Sequence, residues 1–68
     1  MTQNERIMRH LKDYGSITSL EAVSEYGILR LASRIHELRR TNSITGQTVA
    51  ATNRYGEAVH YTRYTLGG

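Results

Sequence analysis

Three apolar residues recur at helical spacing near the start of the chain, with a fourth beside them: Ile7, Leu11 and Tyr14, with Met8. Positions three or four apart share one side of an α-helix, so this series predicts an amphipathic helix of about three turns. Thr2 and Glu5 have the spacing of a capping box, in which each side chain bonds the other residue's backbone N–H. Gly15 follows the series and predicts the end of the helix.

A second, shorter helix is predicted after an extended link at residues 16–17, which is too brief for an independent strand. Thr18 and Glu21 repeat the capping-box spacing, and Gly27 ends the helix. We expect Gly27 to be left-handed, a conformation that residues with a Cβ atom adopt only at a cost. The predicted inward face consists of three residues: Leu20, Val23 and Tyr26.

The longest apolar series predicts a third helix over about 28–41, with one inward stripe: Ile28, Leu31, Ala32, Ile35 and Leu38. The predicted outward face is formed by five residues: Leu29, Arg30, Ser33, Glu37 and Arg40. Arg34 and His36 are placed on the flanks of this helix. Arg39 points inward by periodicity, so we expect its stem to lie on the core and its charged end to reach solvent.

The composition changes after Thr41, because residues 44–51 and 58–66 are rich in Thr, Val and Tyr, which favour strands. The four residues at 53–56, Asn-Arg-Tyr-Gly, are typical of a turn between them. The period-2 pattern leaves the buried face open, because Val59, Tyr61 and Arg63 compete with His60, Tyr64 and Leu66. The order of elements predicts a mainly α, α+β fold of three helices and a C-terminal two-stranded hairpin.

Length and composition restrict the classes of function. The 68 residues suffice for a single domain over 1–68, and the absence of Cys excludes disulfides and thiolate zinc sites. His10, His36 and His60 fall on three predicted elements without a metal-ligand spacing, so we expect no metal and no cofactor. Ser, His and Asp show no nucleophilic arrangement, so we expect no enzyme. No stretch approaches the roughly 20 apolar residues of a membrane span, and the polar start is unlike a secretory signal, so a cytoplasmic protein is expected.

The positive charge is concentrated in the third predicted helix. The chain has a formal net charge of +3, and residues 28–41 alone carry four Arg against Glu37. This segment therefore matches the net charge of the whole chain, and all its cations are Arg. The planar guanidinium group can donate two hydrogen bonds to a guanine edge or to a phosphate, which points to a nucleic-acid partner.

The order of helices in residues 18–40 resembles the two helices of a helix-turn-helix, and the whole chain resembles the small winged helix-turn-helix domains of bacteria and their phages. The most specific parts are residues 16–22, 26–28 and 31–40, and residues 53–56 correspond to the tip of the wing. This resemblance implies DNA binding, with the second helix against the backbone, the third in the major groove and the wing near a phosphate or the minor groove. Leu29 departs from the pattern, because a polar cap would suit that position. The wing carries one cation at its tip, Arg54, which implies modest affinity.

The candidate DNA-binding residues fall into three groups. Four lie on the third helix, where bases and phosphates would be contacted: Arg30, Ser33, Arg34 and Arg40. Thr18 and Ser19 begin the second helix, where hydroxyl and backbone N–H groups can hold a phosphate. Arg54 and Tyr55 lie at the wing tip. The competing interpretations are a solvated helix face with surface ion pairs, simple capping, and an exposed turn.

These features predict a double-stranded DNA-binding protein in the cytoplasm of a bacterial host, either a phage or prophage transcriptional regulator or an architectural factor in recombination. No further helix is available for dimerisation, so we expect any homodimer to be weak, through existing surfaces, or to form only on DNA. The alternative is a winged helix that binds protein, such as a small phage inhibitor or an assembly partner. Exposed Arg on the third helix would favour DNA, whereas an apolar outward face would favour protein, and Leu29 keeps this alternative open.

Overall fold

Three helices and a three-stranded antiparallel sheet form residues 1–67, the part of the chain that this computed structural model describes. Gly68, the last residue of the predicted domain, lies outside the described residues. In chain order the elements are α1 (Gln3–Tyr14), β1 (Ser16–Thr18), α2 (Ser19–Tyr26), α3 (Leu31–Leu38), β2 (Ile44–Thr52) and β3 (Ala58–Leu66). None of the described helices has the length and apolar character needed to cross a membrane.

The ends of the first two helices follow the local sequence. Thr2 caps α1 by accepting from the N–H of Glu5, and the Thr2 N–H donates to the Glu5 carboxylate at 3.0 Å, a bond that lowers the pKa of Glu5. Thr18 and Glu21 form the same capping box on α2. Gly27 ends α2 with φ at 67°, the left-handed conformation predicted for it. Both capping boxes and this stop are confirmed.

The sheet has one strand more than predicted, because residues 16–18 form β1 and not a link. The strand order is β1-β3-β2, and Ile17 pairs with Tyr64 of the central strand. Three residues are too few for an independent strand, but the open edge of β3 supplies partners for their backbone groups. Ile17 is also fully buried, which adds apolar burial to the pairing. The predicted two-stranded wing is therefore the larger part of a three-stranded sheet.

Nine apolar residues form the core: Ile7, Leu11, Ile17, Ala22, Ile28, Leu31, Ile35, Leu38 and Ile44. The prediction that Leu20 and Val23 face inward is wrong, because their side chains are 77% and 41% exposed. Ala22 is the buried residue of α2, and Leu20 lies roughly 160° away from it around the helix. Buried Ile17 and Ile28 flank α2 in the chain, and they supply the apolar volume that the sequence had assigned to Leu20 and Val23.

The interior also contains a polar contact between α1 and α2. Tyr14, predicted on the apolar face of α1, is exposed, whereas His10 is buried. The Nδ1 atom of His10 lies 2.6 Å from the hydroxyl of Tyr26, so a hydrogen bond joins the two helices. Burial raises the pKa of the Tyr26 phenol.

Helix α3 is shorter than the predicted 28–41. The backbone at Arg30 (φ −117°, ψ 57°) is not helical, so the helix begins at Leu31. Ile28 is buried from the preceding loop, where its N–H donates to the carbonyl of Ala22. The helix ends at Leu38 and is followed by a tight turn, in which the N–H groups of Arg40 and Thr41 each donate to the carbonyl three residues earlier. Ala32 is exposed and not inward, because the buried stripe is limited to Leu31, Ile35 and Leu38.

The strands lie where they were predicted, and the structure decides their faces. Tyr64 and Leu66 pack against the core beside buried Ile44, whereas Val59 and Tyr61 lie on the opposite face and are exposed. Strand β1 covers only residues 63–65 of β3. The rest of the hairpin therefore extends as a two-stranded ribbon for about 17 Å, at roughly 3.4 Å per residue from Arg63 to Ala58.

Candidate nucleic-acid interface

Arg30 lies at the start of α3, and its side chain makes no capping hydrogen bond. It is the N-cap residue, and it is exposed. Among the described residues it takes part in no ion pair, in contrast to Arg34. Leu29 beside it is 79% exposed, so an apolar side chain and a cation emerge together from the turn before the helix. Arg30 is therefore free to contact a ligand.

Ser33, His36 and Arg40 share one side of α3 and of the turn that follows it, since they are spaced three and four residues apart. His36 and Arg40 are exposed, and Ser33 is half-buried. Sequence reasoning placed His36 on the flank because it counted Ala32 in the inward stripe, which shifted the inward direction towards His36. The stripe Leu31, Ile35 and Leu38 instead puts His36 about 130° from the core direction, so it joins the outward face.

Arg34 occupies the flank of α3 that faces α1. Its guanidinium is 3.1 Å from the carboxylate of Glu37, and Asn4 at the start of α1 contacts the other oxygen of that carboxylate at 3.4 Å. The Nε atom of Arg34 is buried and has no hydrogen-bond partner. Its side chain is 37% exposed, so the ion pair is partly solvated and contributes little to stability. An approaching phosphate could exchange with Glu37 for this guanidinium.

Arg39 and Arg40 follow the helix and have different surroundings. The Nε–H of Arg39 donates to the carbonyl of Ile44 at 3.0 Å, and its guanidinium lies 5.7 Å from the centre of the Tyr64 ring. Arg39 therefore fastens the end of α3 to the sheet, which agrees with its predicted contact with the core. Arg40 is exposed, and among the described residues its side chain makes no hydrogen bond and no ion pair.

Thr18 and Ser19, both predicted phosphate contacts, differ in access. Thr18 is 7% exposed, and its hydroxyl accepts from the N–H of Glu21 and donates to the Glu21 carboxylate. A phosphate would have to displace these bonds and approach a carboxylate, so the geometry supports capping as the role of Thr18. Ser19, the first residue of α2, is exposed and remains available.

Arg54 and Tyr55 protrude from the end of the ribbon, where Tyr55 is 83% exposed. The side-chain oxygen of Asn53 accepts from the N–H groups of Tyr55 and Glu57 at 2.9 and 3.1 Å. These bonds fix the turn, so both side chains are presented from a defined position away from the helices. Glu57 lies beside them and partly offsets the charge of Arg54.

A mostly apolar groove of about 690 Å³ lies on the other side of the sheet, between α2 and β3. Its lining residues include Leu20, Val23, Tyr61 and Arg63. Sequence reasoning missed this surface because it assigned Leu20 and Val23 to the core. No group of three or more His, Cys, Asp or Glu side chains that could hold a metal ion occurs within residues 1–67.

Comparison with known proteins gives one match. A protein-family model described as a winged helix-turn-helix domain matches residues 2–68. Searches of curated proteins and of solved structures found no match. The matched residues include all three helices and the three-stranded sheet.

Proposed function

The chain belongs to the winged helix-turn-helix domain family, and from this premise we propose that it binds double-stranded DNA with α3 in the major groove and the ribbon on the backbone or in the minor groove. Domains of this family are typically DNA-binding modules without enzymatic activity. The single observation that carries the proposal is the open cationic side of α3, where Arg30 and Arg40 are exposed and unpaired among the described residues.

The proposed contacts differ in what they recognise. Arg30 and Ser33 lie where a helix N-terminus approaches base edges in this docking geometry, so we assign base contacts to them. Arg34 joins them when it exchanges Glu37 for DNA. We assign phosphate contacts to Arg40, Ser19, Arg54 and Tyr55, all of which are exposed. Arg40 follows α3, Ser19 begins α2, and Arg54 and Tyr55 lie at the wing tip. Thr18 supports this surface by capping α2, and His36 is added to the face that the sequence predicted.

The biological setting is part of the proposal and rests on the resemblance of residues 16–40 to phage and bacterial domains. We propose a phage or prophage protein in the cytoplasm of a bacterial host, acting as a transcriptional regulator or as an architectural factor in recombination. A homodimer, weak or dependent on DNA, fits either role, because two copies double the number of phosphate contacts. A binding role without catalysis agrees with the exposure of Arg30, His36 and Arg40 on and beside α3.

The proposal is tested by titration of random duplex DNA at several salt concentrations. Four Arg (Arg30, Arg34, Arg40 and Arg54) would neutralise about four phosphates, so the slope of log K against log salt should be roughly −3.5. Replacing Arg30, Arg40 and Arg54 together by Ala should bring the slope to about −1. Arg9→Ala is the matched control for charge, because Arg9 is exposed on α1 and already paired with Asp13 at 2.9 Å. Lack of binding at low salt, or a slope unaffected by the triple change, would contradict the proposal.

The groove between α2 and β3 favours a second candidate function, the binding of a protein partner. Exposed Leu20 and Val23 line this groove, whereas exposed Leu29 lies beside Arg30 at the start of α3. A partner that occupies the groove would therefore dock away from the cationic face. Leu20→Lys distinguishes the two candidates, because Leu20 is exposed and its loss leaves the core intact. If DNA binding is the function, this variant binds DNA at least as well as the unaltered chain. A chain with no DNA affinity at all would move protein binding ahead.

A further inference from the structure

The outer edge of β2 is open in the part of the chain that the structure describes, because β2 pairs with β3 on one side and with no strand on the other. Its register with β3 is one-to-one from Ile44 to Thr52, so no bulge twists this edge away from a partner. The nine residues include no proline and no charged side chain. Proline, charges and bulges are among the features that prevent edge-to-edge pairing in natural sheets, and β2 itself contains none of these three. A charged side chain reaches the edge at its first residue, where the Nε–H of Arg39 donates to the carbonyl of Ile44.

Two hydrogen bonds at the ends of the ladder show which backbone groups point outward. The N–H of Asn53 donates to the carbonyl of Glu57 at 3.0 Å, and the N–H of Gly67 donates to the carbonyl of Ser43 at 2.6 Å. Both bonds continue the β2–β3 register by one residue at each end of β2, and the residues on the β2 side, Ser43 and Asn53, have odd numbers. Along an antiparallel strand, the backbone N–H and C=O groups of successive residues point alternately towards and away from a given neighbouring strand. Five residues therefore direct N–H and C=O towards the open edge: Ile44, Gly46, Thr48, Ala50 and Thr52.

We propose that two copies of this chain pair antiparallel along β2, with the twofold axis at Thr48. In this register Thr48 faces the partner's Thr48, and Ile44 faces the partner's Thr52. Every outward-facing residue then meets an outward-facing residue. Because the carbonyl of Ile44 in each copy already accepts from the Nε–H of Arg39, about eight backbone hydrogen bonds form over roughly 30 Å of strand. A twofold axis at any other position of β2 pairs fewer of the nine residues. The two sheets join into one six-stranded sheet.

The strand favours a second copy over a charged partner strand. Because β2 is uncharged, self-pairing brings no like charges opposite each other, although each chain has a net charge of +3. The twofold arrangement uses the open β2 edge of both copies, so it closes as a dimer and does not extend into a filament. The sheet face opposite the core would also continue from one copy to the other across the twofold axis. On that face Val49 pairs with Tyr61 of its own sheet and would lie diagonal to the partner's Val49.

Cysteine cross-linking tests the proposed axis, because the chain contains no native thiol. In Thr48→Cys the two introduced residues face each other at a Cα separation of about 5.5 Å, within the range that a disulfide spans. In the control Ala50→Cys, the introduced cysteine of the partner lies four residues farther along the strand, about 13 Å away, which is too far for a disulfide. Under mild oxidation without DNA, we expect Thr48→Cys to form a reducible dimer about tenfold faster than Ala50→Cys. Equal rates, or faster cross-linking of Ala50→Cys, would overturn the proposal.

Sedimentation equilibrium without DNA provides a second readout on the reduced protein. Thr48→Lys places two ammonium groups directly opposite each other at the axis, whereas Ala50→Lys adds the same charge to the same face but farther from its mate. We expect dimer association to fall about tenfold more in Thr48→Lys than in Ala50→Lys. Equal losses, or an unaltered chain that stays monomeric at millimolar concentration, would overturn the dimer. Neither residue is a proposed DNA contact, so these results are independent of the DNA titrations.

Discussion

Arg30→Ala separates the reading of bases from plain charge attraction. The Arg30 side chain is exposed, makes no capping hydrogen bond and forms no ion pair among the described residues. Its removal therefore leaves no buried group without a partner. The free energy of unfolding should therefore stay within about 0.5 kcal/mol of the unaltered chain. A lost bidentate contact with one base should cost about 1–3 kcal/mol on the preferred duplex, or roughly 5- to 150-fold in affinity. Random DNA should lose only the charge contribution.

Arg54→Ala provides the matched comparison, because it removes the same side chain from the exposed turn of the wing. There we expect equal weakening on preferred and random DNA and a salt slope smaller by about one. The assay selects a preferred duplex from a random pool and titrates both variants on the selected and the random DNA. Equal weakening of both DNAs by Arg30→Ala would refute base reading by the start of α3. No change in either variant would place the DNA surface elsewhere.

Two further predictions concern the fold. Ile35→Ala should lower the free energy of unfolding in urea by about 2–4 kcal/mol, close to the whole stability of so small a domain, because Ile35 is 1% exposed. The control His36→Ala, at an exposed position of the same helix, should cost less than about 0.5 kcal/mol. Equal losses in the two variants would contradict the burial of Ile35. Partial burial raises the pKa of the half-buried Tyr26 phenol above its ordinary value of 10.0, so the unfolded state loses this proton first and stability should fall above about pH 10. Alkaline unfolding should be less steep in Tyr26→Phe; an identical pH dependence would exclude Tyr26 as its source.

Much of the candidate site followed from periodicity, and its exceptions followed from packing. Counting positions from the apolar stripe placed Arg30 and Arg40 outward, and the turn composition placed Arg54 on an exposed tip. The ion pair of Arg34 with Glu37 is a local contact between residues three apart on α3. The contact of Asn4 with the same carboxylate instead depends on how α1 lies beside α3. The enclosure of Thr18 likewise depends on its place between β1 and α2. Local spacing specifies the direction of a side chain on its own helix, but it does not specify what the neighbouring element places against it.

The sequence by itself determined the features whose partners lie within a few residues. The capping boxes at Thr2 and Thr18 and the stop at Gly27 are local hydrogen-bond and backbone preferences, so they were legible in the chain. The buried stripe of Leu31, Ile35 and Leu38 was equally legible, because one helix face needs only one element.

The tertiary structure alone decided the features that require a distant partner. Residues 16–18 become a strand only because the edge of β3 reaches them, with Ile17 opposite Tyr64. The exposure of Leu20, and which face of the sheet is buried, also depend on which apolar side chains occupy the core. Burial is a property of the space between elements, and Ile17 and Ile28 occupy the space that the helical pattern of α2 had reserved for Leu20 and Val23.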